Sequence, residues 1–212
     1  MILFGSSVSP FARKVLIFAA EKGIPLEHSP LSPHADDPQF RAASPTGKIP
    51  ALQDGDYRLA DSSAIVHYLE AKHPATPLIP LEPKARGTVI WFEEYADTVM
   101  QPVGSVIFVN RVILPKMRKV SGDLDKANEF AEQHVPPQLA YLESVVPTEG
   151  FLVGDSLTLG DITVTSMLIN LEHSGISIDA AKYPKLAKYY ARICARPSVN
   201  GFITAERQML GV

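Results

Sequence analysis

Ser9-Pro10-Phe11-Ala12-Arg13-Lys14-Val15 closes an apolar N-terminal run and opens the first helix of the chain. Ile2 to Phe4 reads as a short strand before it. Pro10 is pre-set for the first turn of a helix, where its missing N–H costs nothing. Ser9 then stands at a helix N-terminus, among free backbone N–H groups and the positive end of the helix dipole. Two readings of that hydroxyl follow. It is a side-chain cap worth about 1 kcal/mol to the helix, or it donates a hydrogen bond to an anion, and a thiolate suits such a donor.

Around this stretch, the first eighty residues alternate strand and helix. Phe11 to Glu21 carries Phe11, Val15, Leu16, Phe18 and Ala19 at helical spacing, and Gly23 is placed to end the helix in a left-handed conformation. Pro25 to His28 forms a second strand. Ser29 to Ser44 is polar and proline-rich, a loop with at most one short helix. Pro50 to Gln53 and Tyr57 to Leu59 flank the turn signal Asp54-Gly55-Asp56. Asp61 to Lys72 is a helix with Ala64, Ile65, Tyr68 and Leu69 on its apolar face. The order predicts a small mixed sheet covered by helices.

The stretch His73 to Pro83 holds Pro74, Pro77, Pro80 and Pro83 and reads as a linker. The expected domains are residues 1–76 and 84–212, joined by residues 77–83. The second is all-helical in pattern: Lys84 to Met100, kinked afterwards by Pro102 and Gly104 and ending near Pro115; Asp123 to Val146, split at Pro136-Pro137; Thr158 to Glu172; and Pro184 to Ala195. Thr158-Leu159-Gly160-Asp161 forms a capping box, with Leu157 and Ile162 at the positions of a hydrophobic staple.

Composition narrows the classes. The chain has 212 residues, is 46% hydrophobic and carries a formal charge of −3. That balance gives no reason to expect nucleic acid or an anionic membrane as partner. No signal peptide and no uninterrupted apolar run of about 20 residues is expected. The one cysteine, Cys194, excludes an internal disulfide, fits a reducing cytoplasm and reads as a core residue. The six histidines show no ligand spacing, so no metal is expected.

Two further segments bear on Ser9. In Gly47-Lys48-Ile49-Pro50-Ala51-Leu52 a proline opens a strand, as an edge residue allows. If the Ile49-Pro50 bond is cis, the Ile49 backbone turns outward, where an extended ligand can add as a strand; a trans proline entering an edge strand is the alternative. In Asp61-Ser62-Ser63-Ala64-Ile65, Ser62 and Ser63 lie in a first helical turn that can hold a carboxylate. Asp61 either caps that helix or accepts from an ammonium group.

In this order and spacing, SPFARKVLIFAAEKGIPLE, SPTGKIPAL, LADSSAIVHYLE and GDSLTLGDITV resemble the glutathione S-transferase family along the whole chain. Among its bacterial-type members the resemblance is to the serine-using classes, which have serine directly before Pro-Phe. It implies an α/β thioredoxin-like N-terminal domain with an all-α C-terminal domain. It also implies a cytoplasmic homodimer that takes glutathione as co-substrate and attacks a small hydrophobic electrophile. The resemblance makes Ser9 the catalytic hydroxyl and Ile49 the residue whose backbone binds the cysteinyl part, with Pro50 as the cis-proline. Lys48 and His34 become candidates for the glycyl carboxylate, and Asp61 with Ser62 for the γ-glutamyl end. The family more often has Glu at the position of Asp61. The alternatives are a non-catalytic binding or regulatory protein of the same fold, or a related isomerase or dehalogenase; the Ser-Ser-Cys signature of the maleylacetoacetate isomerase class is absent at Ser7-Val8-Ser9. On the helix after the linker, Trp91, Tyr95, Met100 and Phe108 could line a pocket, but aromatic and Met side chains at helical spacing are more often core, so they read as packing, the lone Trp91 above all.

Overall fold

The computed structural model describes all residues, Met1 to Val212, and divides into two compact units, Met1–Ile79 and Pro80–Val212. The division falls inside the proline-rich stretch. Lys22 and Glu70 form an ion pair at 2.7 Å. The Lys22 ammonium also donates to the carbonyls of Ala75 and Thr76, while the Glu70 carboxylate accepts from the backbone N–H of Leu78 and Ile79. These contacts tie the start of the expected linker to the first unit.

The N-terminal unit is a four-stranded sheet with three helices. Strand β1 (Ile2–Phe4) leads into α1 (Pro10–Glu21), then β2 (Glu27–Ser29), α2 (Pro38–Ala43), β3 (Ala51–Asp54), β4 (Tyr57–Ala60) and α3 (Ser62–Lys72). The strand order is β2-β1-β3-β4. β1 runs parallel to β2 and antiparallel to β3, and β3 pairs antiparallel with β4 through the two-residue turn Gly55-Asp56. Gly55 has φ +59°, as a tight hairpin requires. The second strand starts at Glu27, later than the expected Pro25, because proline has no N–H for the ladder. At the end of α1, Gly23 is left-handed (φ +65°) and its N–H bonds back to the Ala20 carbonyl.

Residues Ala12 to Ala19 of α1 are all buried, Arg13 and Lys14 included. The spacing of apolar residues did not mark those two as interior. Phe4, Phe40, Ala43 and Ala51 form a core cluster on the sheet, with the Phe4 and Phe40 rings 6.2 Å apart.

The C-terminal unit is helical throughout. A continuous 35-residue helix spans Pro83–Met117. It consists of α4 (Pro83–Glu94), a π-helical segment (Tyr95–Met100), α5 (Gln101–Phe108) and a second π-helical segment (Val109–Met117). Pro102 and Gly104 therefore do not break it. The wider π turns, in which the Gln101 N–H reaches the Ala96 carbonyl five residues back, change the bonding register just before the proline. By length and composition this helix is apolar enough to cross a membrane, with a mean hydropathy of 1.2 over its best window. Gln101, Asn110 and Arg111 interrupt its apolar sequence, which is why no uninterrupted run is visible there.

The remaining helices are α6 (Leu124–Gln133), α7 (Val135–Val145), α8 (Leu159–His173), α9 (Pro184–Cys194) and α10 (Pro197–Leu210). The expected split at Pro136-Pro137 occurs at His134, which puts both prolines in the first turn of α7. Helix α8 is the centre of the unit, buried along almost its whole length and packed against α4, α5 and α9. Asp161, fully buried, accepts four hydrogen bonds: from Leu152 N (2.8 Å), Thr158 N (2.9 Å), Thr158 Oγ1 (2.8 Å) and Tyr189 Oη (2.8 Å). Burial pushes its carboxyl upward and those bonds oppose the shift. Leu157 and Ile162 are both buried beside this start, as the staple requires.

Three sequence expectations fail in this unit. Cys194, expected in the core, is only partly buried at the end of α9. Trp91, expected as packing, is 51% exposed, and its indole N–H donates to the Tyr141 hydroxyl at 2.8 Å. Helix α10 was not expected, although Pro197 stands at its first position; Arg196 before it makes no side-chain cap. Its buried face holds Glu206, which pairs with the buried His173 at 2.9 Å, so a charge interrupts the apolar stripe. Tyr95, Met100 and Phe108 are buried.

Candidate active site

The sheet register collects the three segments singled out in the sequence. Phe4 pairs with Ala51, and Ala51 pairs with Ala60. The next row past these ends is Gly5, Pro50 and Asp61. Residues far apart in the chain thus meet at one end of the sheet, at the mouth of the β1–α1 turn.

Ser9 is the N-cap residue of α1, with φ −73° and ψ 125°, and its side chain makes no capping hydrogen bond. Its backbone is held at both sides: its N–H donates to the Ser6 carbonyl at 3.0 Å, and its carbonyl accepts from Arg13 N at 2.9 Å. Of the two readings of the hydroxyl, the structure does not realise the side-chain cap. The hydroxyl stands partly exposed at the helix start with its proton uncommitted to the helix. The neighbouring hydroxyls differ. Ser6 Oγ accepts from Val8 N at 3.4 Å, and Ser7 is buried.

The Ile49-Pro50 bond is cis. β3 begins only at Ala51, so Ile49 lies outside the ladder. Gly5 (φ +136°) explains how the turn and this loop approach each other: a Cβ there would lie 3.0 Å from Ile49 Cβ and 3.4 Å from Pro50 Cα. The loop before is fastened by Ser44 Oγ, which donates to the Lys48 carbonyl at 2.6 Å. Gly47 (φ +69°) lets His34 fold onto the loop. A Cβ at Gly47 would meet the His34 ring at 2.4 Å, and His34 N–H donates to the Gly47 carbonyl at 2.8 Å. His34 and Lys48 are both exposed, and the loop contact brings His34 next to the residue preceding Lys48.

Asp61 has φ +79°, an uncommon conformation for a residue with a side chain. Its Oδ1 accepts from both Ser63 N (2.9 Å) and Ala64 N (3.2 Å). The cap is therefore built on one carboxylate oxygen, and Oδ2 takes no part in it. Ser62, in the first turn of α3, is buried except for a 3% opening. Behind this turn the fully buried Lys14 of α1 donates from Nζ to Ser63 Oγ at 3.1 Å. Sequence reasoning missed Lys14 and Gly5. The first lies among apolar residues on a buried face, and the second is a single glycine whose role appears only when β1 and β3 are paired.

The row thus offers a hydroxyl at a helix N-terminus, an extended-strand edge beside a cis proline, and a carboxylate next to a helix start. That set suits a peptide-like ligand with a thiol in the middle and an amino-acid end. Side chains able to hold a metal do not gather here, since no group of three His, Cys, Asp or Glu lies close enough to share one ion.

Comparison with known proteins shows the family. Residues 3–77 match the family model for the N-terminal domain of glutathione S-transferase, and residues 115–206 match that for its C-terminal domain. A glutathione S-transferase of Triticum aestivum is 28% identical over 194 residues, covering 89% of this chain and 86% of its own. A stringent starvation protein A homolog of Haemophilus ducreyi is 24% identical over 200 residues, covering 94% of this chain and 88% of its own. Among solved structures, a glutathione S-transferase of Methylobacterium radiotolerans in complex with glutathione sulfonate is 27% identical, with a TM-score of 0.78 over 95% of this chain and 93% of that one. A thioredoxin-like sheet domain carrying this row, an all-helical second domain and both family models lead to one conclusion: the chain belongs to the glutathione S-transferase family.

Proposed function

We propose that the chain is a glutathione transferase of a serine-using class, binding glutathione along the Gly5–Pro50–Asp61 row and activating its thiol for attack on small hydrophobic electrophiles. The carrying observation is the Ser9 hydroxyl, fixed at the α1 N-terminus and not spent on capping it. In this reading the backbone of Ile49, beside cis Pro50, pairs with the cysteinyl part. Asp61 Oδ2 accepts from the γ-glutamyl ammonium while Ser62 and the first turn of α3 hold its carboxylate. Lys48, with His34 beside its loop, meets the glycyl carboxylate.

The chemistry asked of Ser9 is modest. A free thiol with a pKa of about 8.5 is only a few per cent ionised at neutral pH. Lowering that value by about two units requires roughly 2.7 kcal/mol of preference for the anion. A hydrogen bond to a charged group contributes about 1.5–3 kcal/mol, and the helix N-terminus a few tenths to one more. The sum suffices with no general base. The thiol proton is released to solvent as the thiolate forms. The thiolate then attacks carbon, expelling halide with its electron pair from an aryl halide, or opening an epoxide or adding to an isothiocyanate, whose oxygen or nitrogen takes up a proton from solvent. Attack on a peroxide oxygen breaks the O–O bond, the departing oxygen taking up a proton.

The test is turnover of aryl halides, epoxides, isothiocyanates and peroxides with glutathione by the wild type and Ser9→Ala. We expect conjugation of at least one class, falling at least tenfold in kcat in Ser9→Ala with little change in glutathione affinity. Equal rates in the two proteins would refute the role of Ser9. The stringent starvation protein relative supports a second reading, a non-catalytic member of the family. That reading requires no turnover of any electrophile, whether or not glutathione binds.

A further inference from the structure

Every residue assigned to glutathione above lies in the N-terminal unit, and the C-terminal unit has a hollow of its own. A cavity of about 200 Å³, partly open to solvent, lies among α7, α8, the turn after α8, and α9. Leu139, Leu168, Leu171 and Ile178 give it apolar walls, and α9 faces it with the small Ala187. Its polar edge is made by Tyr190 and Glu172.

The state of that edge decides what it can bind. The Tyr190 hydroxyl donates to Glu172 Oε2, and Arg207 Nη2 donates to Glu172 Oε1 at 2.5 Å. Glu172 is therefore charge-matched by Arg207, and the phenolic proton of Tyr190 is already committed. Burial, with Glu172 close by, holds the Tyr190 phenol far above its ordinary value, so it stays protonated. What the edge still offers is acceptor capacity, on the remaining lone pairs of Glu172 and one lone pair of the Tyr190 oxygen, which also meets the Cys194 thiol. A cation finds its counter-charge already taken by Arg207, and an anion meets acceptors only. A neutral molecule with one donor fits both conditions.

Size narrows the class further. An apolar protein cavity of about 150 Å³ accommodates benzene, so this hollow has room for a single ring with a small substituent. We propose that the cavity binds a small neutral phenol, its ring against the leucine walls and its hydroxyl donating to the Tyr190–Glu172 edge, as a site separate from the glutathione residues.

The full-length chain is titrated with 4-ethylphenol and with ethylbenzene, following chemical shifts of leucine and isoleucine methyl groups. Both ligands are expected to shift the methyls of the wall residues, 4-ethylphenol binding about fivefold more tightly, the effect of one neutral hydrogen bond. Ala187→Phe, which fills the hollow from α9, should abolish both titrations. Should that variant not fold, Ile178→Trp closes the same space from the turn after α8, where backbone adjustment is easier, and carries the same expectation. Absence of binding by the wild type at millimolar ligand would overturn the proposal. So would titrations that survive in a folded filled variant, or equal affinity for the two ligands.

Discussion

Asp61 caps α3 with one oxygen, and the proposed function gives the γ-glutamyl ammonium to the other. Oδ1 closes the N-terminus of α3 by accepting from Ser63 N and Ala64 N, and Oδ2 faces away from that duty. The two tasks separate by mutation. Asp61→Asn keeps an oxygen for the cap and loses the charge, so its melting temperature should stay within a degree or two of the wild type while KM for glutathione rises several-fold. Asp61→Ala loses both, and calorimetry should show about 1 kcal/mol less stability, the usual worth of an N-cap. If Asp61→Asn binds glutathione as tightly as the wild type, the ammonium contact is not made by this residue. Asp61 was legible as a candidate from its place before two serines. Its two possible roles were legible as well; its left-handed backbone was not, since that conformation is uncommon for a residue with a side chain.

Two links between secondary-structure elements make further predictions. Asp54, at the end of β3, is bonded to Lys72 and Tyr68 of α3, and these partners hold its carboxyl below the ordinary value, the Lys72 contact contributing most. A carboxyl that titrates lower in the folded chain than in the unfolded one stabilises the fold above the ordinary carboxylate range, and that stabilisation is lost as pH falls through the folded value. Chemical denaturation between neutral pH and about pH 3 should therefore show a steeper acid loss in the wild type than in Asp54→Asn. The group is near the surface, so the difference is small and shrinks in high salt. Asp161 is the buried counterpart. Removing it in Asp161→Ala leaves the N–H of Leu152 and Thr158 and the hydroxyl of Tyr189 without their acceptor. At about 1–3 kcal/mol for each stranded group, we expect a loss of at least 3 kcal/mol, measured by urea unfolding. A loss below 1 kcal/mol would show that the box is dispensable.

Across the whole molecule, the two units were unequally readable. In the first, glycine, proline and apolar alternation punctuate the chain at every turn, so the strand–helix order and all the candidate residues except Lys14 and Gly5 could be found before the register was known. In the second, the 3.6-residue period identified helices but not the two π segments, because a one-residue change in bonding register barely alters the apolar pattern over so few turns. Buried charges hid the rest. Glu206 in α10 and Arg13 and Lys14 in α1 stand at interior positions, where only their partners or their surroundings reveal that they are inside. The sheet row that forms the site is a property of pairing, and the sequence supplies its members without saying that they meet.

The central claim is that the Ser9 hydroxyl stabilises a glutathione thiolate, and ultraviolet absorbance of the bound thiolate, titrated against pH, tests it directly. The wild-type complex should ionise about two units below the free thiol's value of roughly 8.5, and the Ser9→Ala complex close to that value. Bound glutathione that ionises at the same pH in both proteins would contradict the account.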